Sequence, residues 1–234
     1  MLVGEKMDDF LKRQLSQEQW ERIQNGEPIQ KVIQEINFYG YPMEVNLNVL
    51  TPSMETEELV SKTLFHLYEF DNPRVVDIGT GSGCIAIAIS KEIPSIVEAV
   101  DINPKALDIA GRNAERNSSD VRFLEGDMLK PLKGKYDCIV SNPPYLSYDL
   151  DSISVVSSTP VLALFAGAEG LASYEVILSN CKEHLNDKFL IALEIGEYQS
   201  KRLLEKVKKY LPDSRAWIEK DMNGKERFLF IREK

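Results

Sequence analysis

Residues Val75-Val76-Asp77-Ile78-Gly79-Thr80-Gly81-Ser82-Gly83-Cys84 run from a short apolar strand, through a turn with glycine at alternate positions, into an apolar helix over Cys84 to Ser90. Such a turn bends the backbone tightly and brings it close to a ligand without interference from Cβ atoms. The same strand-to-helix rhythm continues along the chain. Strand-like runs at Val97 to Val100, Val121 to Leu124, Tyr136 to Ser141 and Phe189 to Ile195 alternate with helical spacings at Lys105 to Arg116, Tyr174 to His184 and Gln199 to Tyr210. Asn103-Pro104 supplies an N-cap and first helical residue for the helix over Lys105 to Arg116. Regular alternation predicts an α/β fold, a mainly parallel sheet with helices on both faces. Arg215 to Glu219 and Arg227 to Ile231, around Asn223-Gly224, add an antiparallel edge with the preferred two-residue hairpin turn.

Before this domain the pattern is different. Met7 to Gln24 has helical spacing and stops at Asn25-Gly26, and a second short helix is expected over Ile29 to Glu35. Phe38-Tyr39-Gly40 and Tyr41 to Leu50 look extended, with Met43, Val45 and Leu47 alternating against Glu44, Asn46 and Asn48. Glu55 to Tyr68 returns to a helical apolar face. The expected division is therefore a short helical segment at 1–36, a β-hairpin linker at 37–50 and the α/β domain at 51–234. No apolar run approaches the length of a membrane span, and the opening residues have no secretory h-region. Cys84, Cys138 and Cys181 fit neither a disulfide framework nor a metal knuckle, and His66 and His184 lack partner spacing, so a cytoplasmic chain without a metal is expected. A net charge of −9 argues against phosphate as the main partner. The basic cluster Lys201, Arg202, Lys206, Lys208 and Lys209 reads as a solvated helix face.

The turn at Gly79 to Gly83 has the spacing G-x-G-x-G, not the G-x-G-x-x-G of a dinucleotide site. Asp77 in the strand before it suits a ligand carrying an ammonium and a sulfonium better than a pyrophosphate, since like charges repel. Asp101 ends the next strand about 20 residues on, where an acid can accept ribose hydroxyls. Asp127 ends the third, near where an adenine would lie. Three acids at successive strand ends form one constellation; the plain alternative is a set of turns and caps.

The fourth strand runs into Ser141-Asn142-Pro143-Pro144-Tyr145. Two prolines remove two donors and fix φ, which leaves a stiff loop with outward carbonyls. Asn142 adds a side-chain acceptor and Tyr145 a flat aromatic face. Two acceptors beside an aromatic suit a planar NH₂ on an sp² carbon, a poor nucleophile that gains from being steered and from charge stabilisation. A Pro-Pro turn that only ends a strand is the structural alternative.

Together, Gly79 to Gly83 and Asn142-Pro143-Pro144-Tyr145 resemble the class I S-adenosylmethionine-dependent N-methyltransferases, with their Rossmann-like sheet. More closely, the chain resembles the HemK/PrmC family, whose members methylate the glutamine of the Gly-Gly-Gln motif in peptide-chain release factors. Gly26-Glu27-Pro28-Ile29, Phe38-Tyr39-Gly40, Leu50-Thr51-Pro52, Glu55-Thr56-Glu57, Ala163-Leu164-Phe165, Glu169-Gly170-Leu171, Leu193-Glu194-Ile195-Gly196 and the end from Lys220 to Arg227 extend the likeness over about residues 26 to 232. The resemblance implies transfer of methyl to a protein glutamine side-chain amide, with S-adenosylhomocysteine as product and no metal. The expected cofactor residues are Asp77, Gly79, Thr80, Gly81, Ser82, Gly83, Asp101, Ile102, Asp127, Met128 and Asn142. Asn142, Pro143, Pro144 and Tyr145 are expected to hold the glutamine, with Asn142, Pro143 and Tyr145 as the catalytic group. A release factor is the expected partner, with no direct nucleic-acid or membrane binding.

The chain departs from the family pattern at Ser53-Met54, where Arg-Pro is usual, and at Thr159-Pro160, where Glu-Pro is usual. Met128 stands where an aromatic is usual, and the helical start is short. Three rivals remain at this level: an exocyclic amine of a nucleic-acid base, a glutamine of a ribosomal protein, and a catalytically silent binding module. Glu194, ending the fifth strand on the same edge, is a candidate support.

Overall fold

The structure is a computed structural model that describes residues 15–27, 32–144 and 170–234. Helix α1 (Gln17–Gln24) opens on a capping box, Ser16 and Gln19 each satisfying the other's backbone N–H. A two-stranded hairpin comes next, β1 (Glu35–Phe38) and β2 (Tyr41–Glu44). Its turn residues Tyr39 and Gly40 both have positive φ, 52° and 86°, the mirror-image turn whose twist matches paired strands. Pairing stops at Glu44. Residues 45–50 leave the hairpin and pack Val45 and Val49 against Ala106 and Ile109, with Leu47 exposed, so the expected alternation ends early.

Helix α2 (Met54–Leu67) leads into the main domain: β3 (Arg74–Ile78), α3 (Cys84–Glu92), β4 (Ile96–Asp101), α4 (Pro104–Arg116), β5 (Val121–Glu125) and β6 (Tyr136–Ser141). After it come α5 (Ala172–Asn180), β7 (Leu185–Glu194), α6 (Ser200–Tyr210), β8 (Ser214–Lys220) and β9 (Glu226–Glu233). The seven strands lie in the order β5-β4-β3-β6-β7-β9-β8. The first five are parallel, and β9 runs antiparallel to both β7 and β8. The expected α/β class and its antiparallel edge are what the sheet shows.

Alternation along the strands assigns the two faces. Val75, Cys138, Leu190 and Phe228 point into one core with α2 and α3. Their neighbours Val76, Ile139, Ile191 and Leu229 point into the other with α5 and α6. Cys84, Cys138 and Cys181 are all buried free thiols. The chain moves outward from β3 through β4 to β5, then returns to the other side of β3 as β6. The carboxyl ends of β3 and β6 therefore flank the point where strand order reverses, and a crevice opens there.

Two local expectations differ from the structure. The helix expected over Tyr174 to His184 ends at Asn180 and finishes as a 3₁₀ turn, Cys181–His184, so β7 starts earlier than its apolar run. The β8–β9 connection is not a two-residue Asn-Gly turn. Asn223 does not have positive φ and Gly224 does, at 80°, so the mirror-image turn is ruled out. Instead Gly224 N–H donates to the Asp221 carbonyl, and the Asp221 carboxylate accepts from the N–H groups of Asn223 and Lys225. An acid at the start of the loop chose the turn type, which is the usual way Asp directs the two residues after it.

Candidate active site

The cleft lies at the carboxyl ends of β3, β4 and β6. Gly79, Gly81, Asp101, Ile102, Asp127, Met128, Asn142 and Pro144 all line it. The glycine turn is held by main-chain bonds: the N–H groups of Gly79 and Thr80 both donate to the Val100 carbonyl, at 2.8 and 2.9 Å. Gly81 has φ 56° and Gly83 φ 81°. A Cβ on Gly83 would also sit 3.0 Å from that of Ala110, so glycine there lets α3 and α4 close on each other.

Asp101 anchors the turn from the neighbouring strand. Its Oδ2 accepts from Gly81 N–H and its Oδ1 from Asn103 N–H, both at 2.8 Å. Each oxygen keeps a further lone pair that can take a hydroxyl. Asp127 lines the cleft near its mouth and pairs with Lys130 at 2.6 Å.

Asp77, Thr80, Ser82, Gly83 and Pro143 are not on the cleft surface. Asp77 is fully buried behind the turn, and Thr80 Oγ1 donates to its Oδ2 at 2.6 Å. Burial pushes its carboxyl up to about 7, against the Thr80 bond and the Ala86 N–H at the start of α3. The carboxylate thus braces the loop from behind. Tyr145, Thr159-Pro160, Ala163-Leu164-Phe165 and Glu169 lie outside the described residues.

On the other side of the cleft, Asn142 follows β6 and is set by residues remote in sequence. Its Nδ2 donates to Thr56 Oγ1 at 3.1 Å, and Thr56 Oγ1 donates to Glu194 Oε2 at 2.9 Å. Asn142 Oδ1 is buried and no donor among the described residues reaches it. Glu194 is nearly fully buried at the end of β7, and burial pushes its carboxyl up to about 7 against the opposing pull of the Thr56 bond and Arg227.

The Methyltransferase small domain family model matches residues 57–162. Over 223 residues the chain is 39% identical to the release factor glutamine methyltransferase of Streptococcus pneumoniae (strain ATCC BAA-255 / R6), covering 94% of this chain and 80% of that one. It is 40% identical over 225 residues to the release factor glutamine methyltransferase of Bacillus subtilis (strain 168), covering 89% of this chain and 76% of that one. The chain belongs to the release factor glutamine methyltransferase family. Its fold is shared with a methyltransferase from Pyrococcus furiosus at a TM-score of 0.61 and 23% identity, covering 94% of this chain and 99% of that one.

In this member of the release factor glutamine methyltransferase family, several cleft residues carry no motif. Asn48, Val49 and Leu50 form one wall, held where Asn103 Nδ2 donates to the Asn48 carbonyl at 3.2 Å. Asn113, buried on α4, exchanges two bonds with the Glu44 backbone and donates to the Ser82 carbonyl at 2.8 Å, tying hairpin to glycine turn. Its position on an otherwise apolar helix face was the one available sequence signal. Ser53, a departure from the family pattern, is the N-cap of α2, its side chain accepting from Thr56 N–H.

The arrangement fits S-adenosylmethionine. The side-chain-free turn at Gly79 and Gly81 admits close approach. The Asp101 carboxylate stands at a strand end, where it can take sugar hydroxyls. Val49, Leu50, Ile85, Ile102 and Ala106 give the apolar wall that most of such a ligand needs.

Proposed function

We propose that this chain transfers a methyl group from S-adenosylmethionine to the side-chain amide nitrogen of a protein glutamine, the glutamine of the Gly-Gly-Gln motif in a peptide-chain release factor. The observation that carries the reading is the buried Oδ1 of Asn142 at the cleft, without a donor among the described residues, beside a proline-stiffened loop. Such an acceptor can be matched by a donor brought from outside.

Gly79, Gly81, Asp101, Ile102, Asp127, Met128 and Asn142 would hold the cofactor, which when bound supplies an electrophilic methyl group on a sulfonium. Asn142 Oδ1 accepts one N–H of the glutamine amide, and carbonyl oxygen of the proline loop accepts the other. Two acceptors hold the NH₂ group in one plane and stabilise positive charge growing on nitrogen. Positioning supplies most of the rest, because bringing the nitrogen to its target removes the entropy of a bimolecular encounter. No base among these residues is needed before transfer, since a methylated amide nitrogen bearing positive charge is acidic and loses its proton to water. Tyr145 is assigned as the aromatic face against the amide. Asp77, Thr80, Ser82 and Gly83 support the cofactor turn from behind it.

The test is methyl incorporation from labelled S-adenosylmethionine into a release factor, the same factor with that glutamine changed to alanine, and bulk cellular nucleic acid. Label on the intact factor alone, lost with Asn142→Ala, is the expected result. Label on nucleic acid alone would overturn the protein-substrate reading.

A further inference from the structure

An asparagine amide is nearly symmetric in shape, so either end could face the cleft, and only Oδ1 can accept an N–H. What decides the orientation is the pair of residues behind it. Thr56 comes from the first turn of α2 and Glu194 from the end of β7, and both are buried. Resting on the function proposed above, we infer that Thr56 and Glu194 are positioning residues that fix the Asn142 amide with its oxygen toward the substrate.

A count of protons sets the direction. An ionised carboxylate only accepts, so the one hydroxyl hydrogen of Thr56 goes to Glu194 Oε2. The Thr56 oxygen is then left with lone pairs only and takes an N–H from Asn142 Nδ2. The Ser53 hydroxyl, 3.4 Å away, can fill the second lone pair. With Nδ2 engaged, Oδ1 is the end that remains for the cleft. A proton placed on Glu194 Oε2 removes that order. The acid can donate to Thr56, whose hydroxyl is then free to turn towards Ser53 or Asn142. Either end of the amide can then satisfy it, and the oxygen is no longer held toward the cleft.

The groups facing Glu194 come from several packed elements. They are Thr56 and Glu55 on α2, Asn142 after β6, Arg227 on β9, the Cys84 thiol on α3 and, on α5, Tyr174, whose hydroxyl donates to the Glu194 carbonyl at 2.8 Å. Arg227 favours the ionised carboxylate, while Glu55 and burial oppose it. The relay is thus poised so that its direction depends on pH near neutrality.

The test compares Thr56→Val, which keeps shape and removes the hydroxyl, with Thr56→Ser, which restores it, and with Glu194→Gln. Single-turnover methyl transfer to a release factor, cofactor affinity and melting temperature are read on each. Thr56→Val is expected to slow transfer by ~10-fold to ~100-fold, with cofactor affinity within about 2-fold of wild type, a small share of that loss, and Thr56→Ser to recover most of the rate. The wild-type rate should rise with pH through the ionisation of Glu194, and that limb should vanish in Glu194→Gln. An unchanged rate in Thr56→Val, or a limb that persists in Glu194→Gln, overturns the inference.

A second readout needs no turnover. In ¹⁵N-asparagine-labelled protein, the Asn142 side-chain NH₂ signal, assigned by its absence in Asn142→Ala, should show one hydrogen-bonded proton that is lost in Thr56→Val. If wild type transfers no methyl but this signal behaves as stated, the function fails and the relay stands. If the signal is the same in Thr56→Val, the relay fails.

Discussion

The two sides of the cleft are built differently. On the cofactor side, the contacts are made by main-chain N–H groups of the glycine turn: the Val100 carbonyl takes two, and the Asp101 carboxylate takes one more, 20 positions on from Gly81. On the substrate side, Asn142 is set by side-chain bonds to residues 86 positions away at Thr56, and Thr56 in turn to Glu194, 138 positions from it. A site made of backbone resists substitution of its side chains but depends on glycine. A site made of linked side chains loses its geometry when any one link is removed.

That contrast predicts which variants damage chemistry and which damage binding or folding. The largest effect is expected on the substrate side. Asn142→Ala should reduce the single-turnover rate by ~100-fold to ~1,000-fold, while isothermal titration shows a far smaller loss of cofactor affinity. Equal losses in both would mean the two sides are one unit. On the cofactor side, Gly83→Val forces a branched side chain into φ 81° and against Ala110. Urea unfolding should show a loss of about 2–3 kcal/mol, with cofactor binding weakened in step.

A smaller effect is expected from pH. Asp77 and Glu194 are both raised to about 7 in the native protein. A carboxyl with a raised native value holds its proton more tightly in the folded state than in the unfolded one. Its contribution is therefore fully present below the ordinary carboxylate range and is lost as pH rises through about 7. Stability should fall over that window, with a slope of up to about 1.4 kcal/mol per pH unit for each group. Asp77→Asn should flatten it by one group's share in denaturant titrations at several pH values. A profile unaffected by Asp77→Asn would remove the brace assigned to it. The smallest effect is Asp101→Asn, which keeps the shape but loses charge. Cofactor affinity should weaken by roughly 10-fold, with the saturated rate nearly unchanged.

The same contrast explains what could be read from the sequence. The glycine turn, Asp101 and the helix opening at Asn103-Pro104 are contiguous with the strands that present them, so local spacing carried both fold and cofactor side. Asp77 was legible as unusual but not as buried. Its role towards Thr80 depends on the fold of the turn behind the cleft surface. Asn142 and its prolines stood out, yet Thr56 showed only as part of the Glu55-Thr56-Glu57 likeness, with no sign of its role, because its partners come from β6 and β7. Residues 48–50 were hidden by an alternation that looks like strand and ends in the structure at Glu44. The Asn-Gly turn misled for the opposite reason: Asp221, just ahead of it, overrode a strong local signal.

The most direct test of the account is to locate the transferred methyl. A release factor incubated with the wild-type chain and S-adenosylmethionine would be digested and its peptides sequenced by tandem mass spectrometry. A single methyl on the side-chain nitrogen of the Gly-Gly-Gln glutamine is the expected result. A methyl on a lysine, arginine or terminal amine, or an unmodified factor beside methylated nucleic acid, would contradict it.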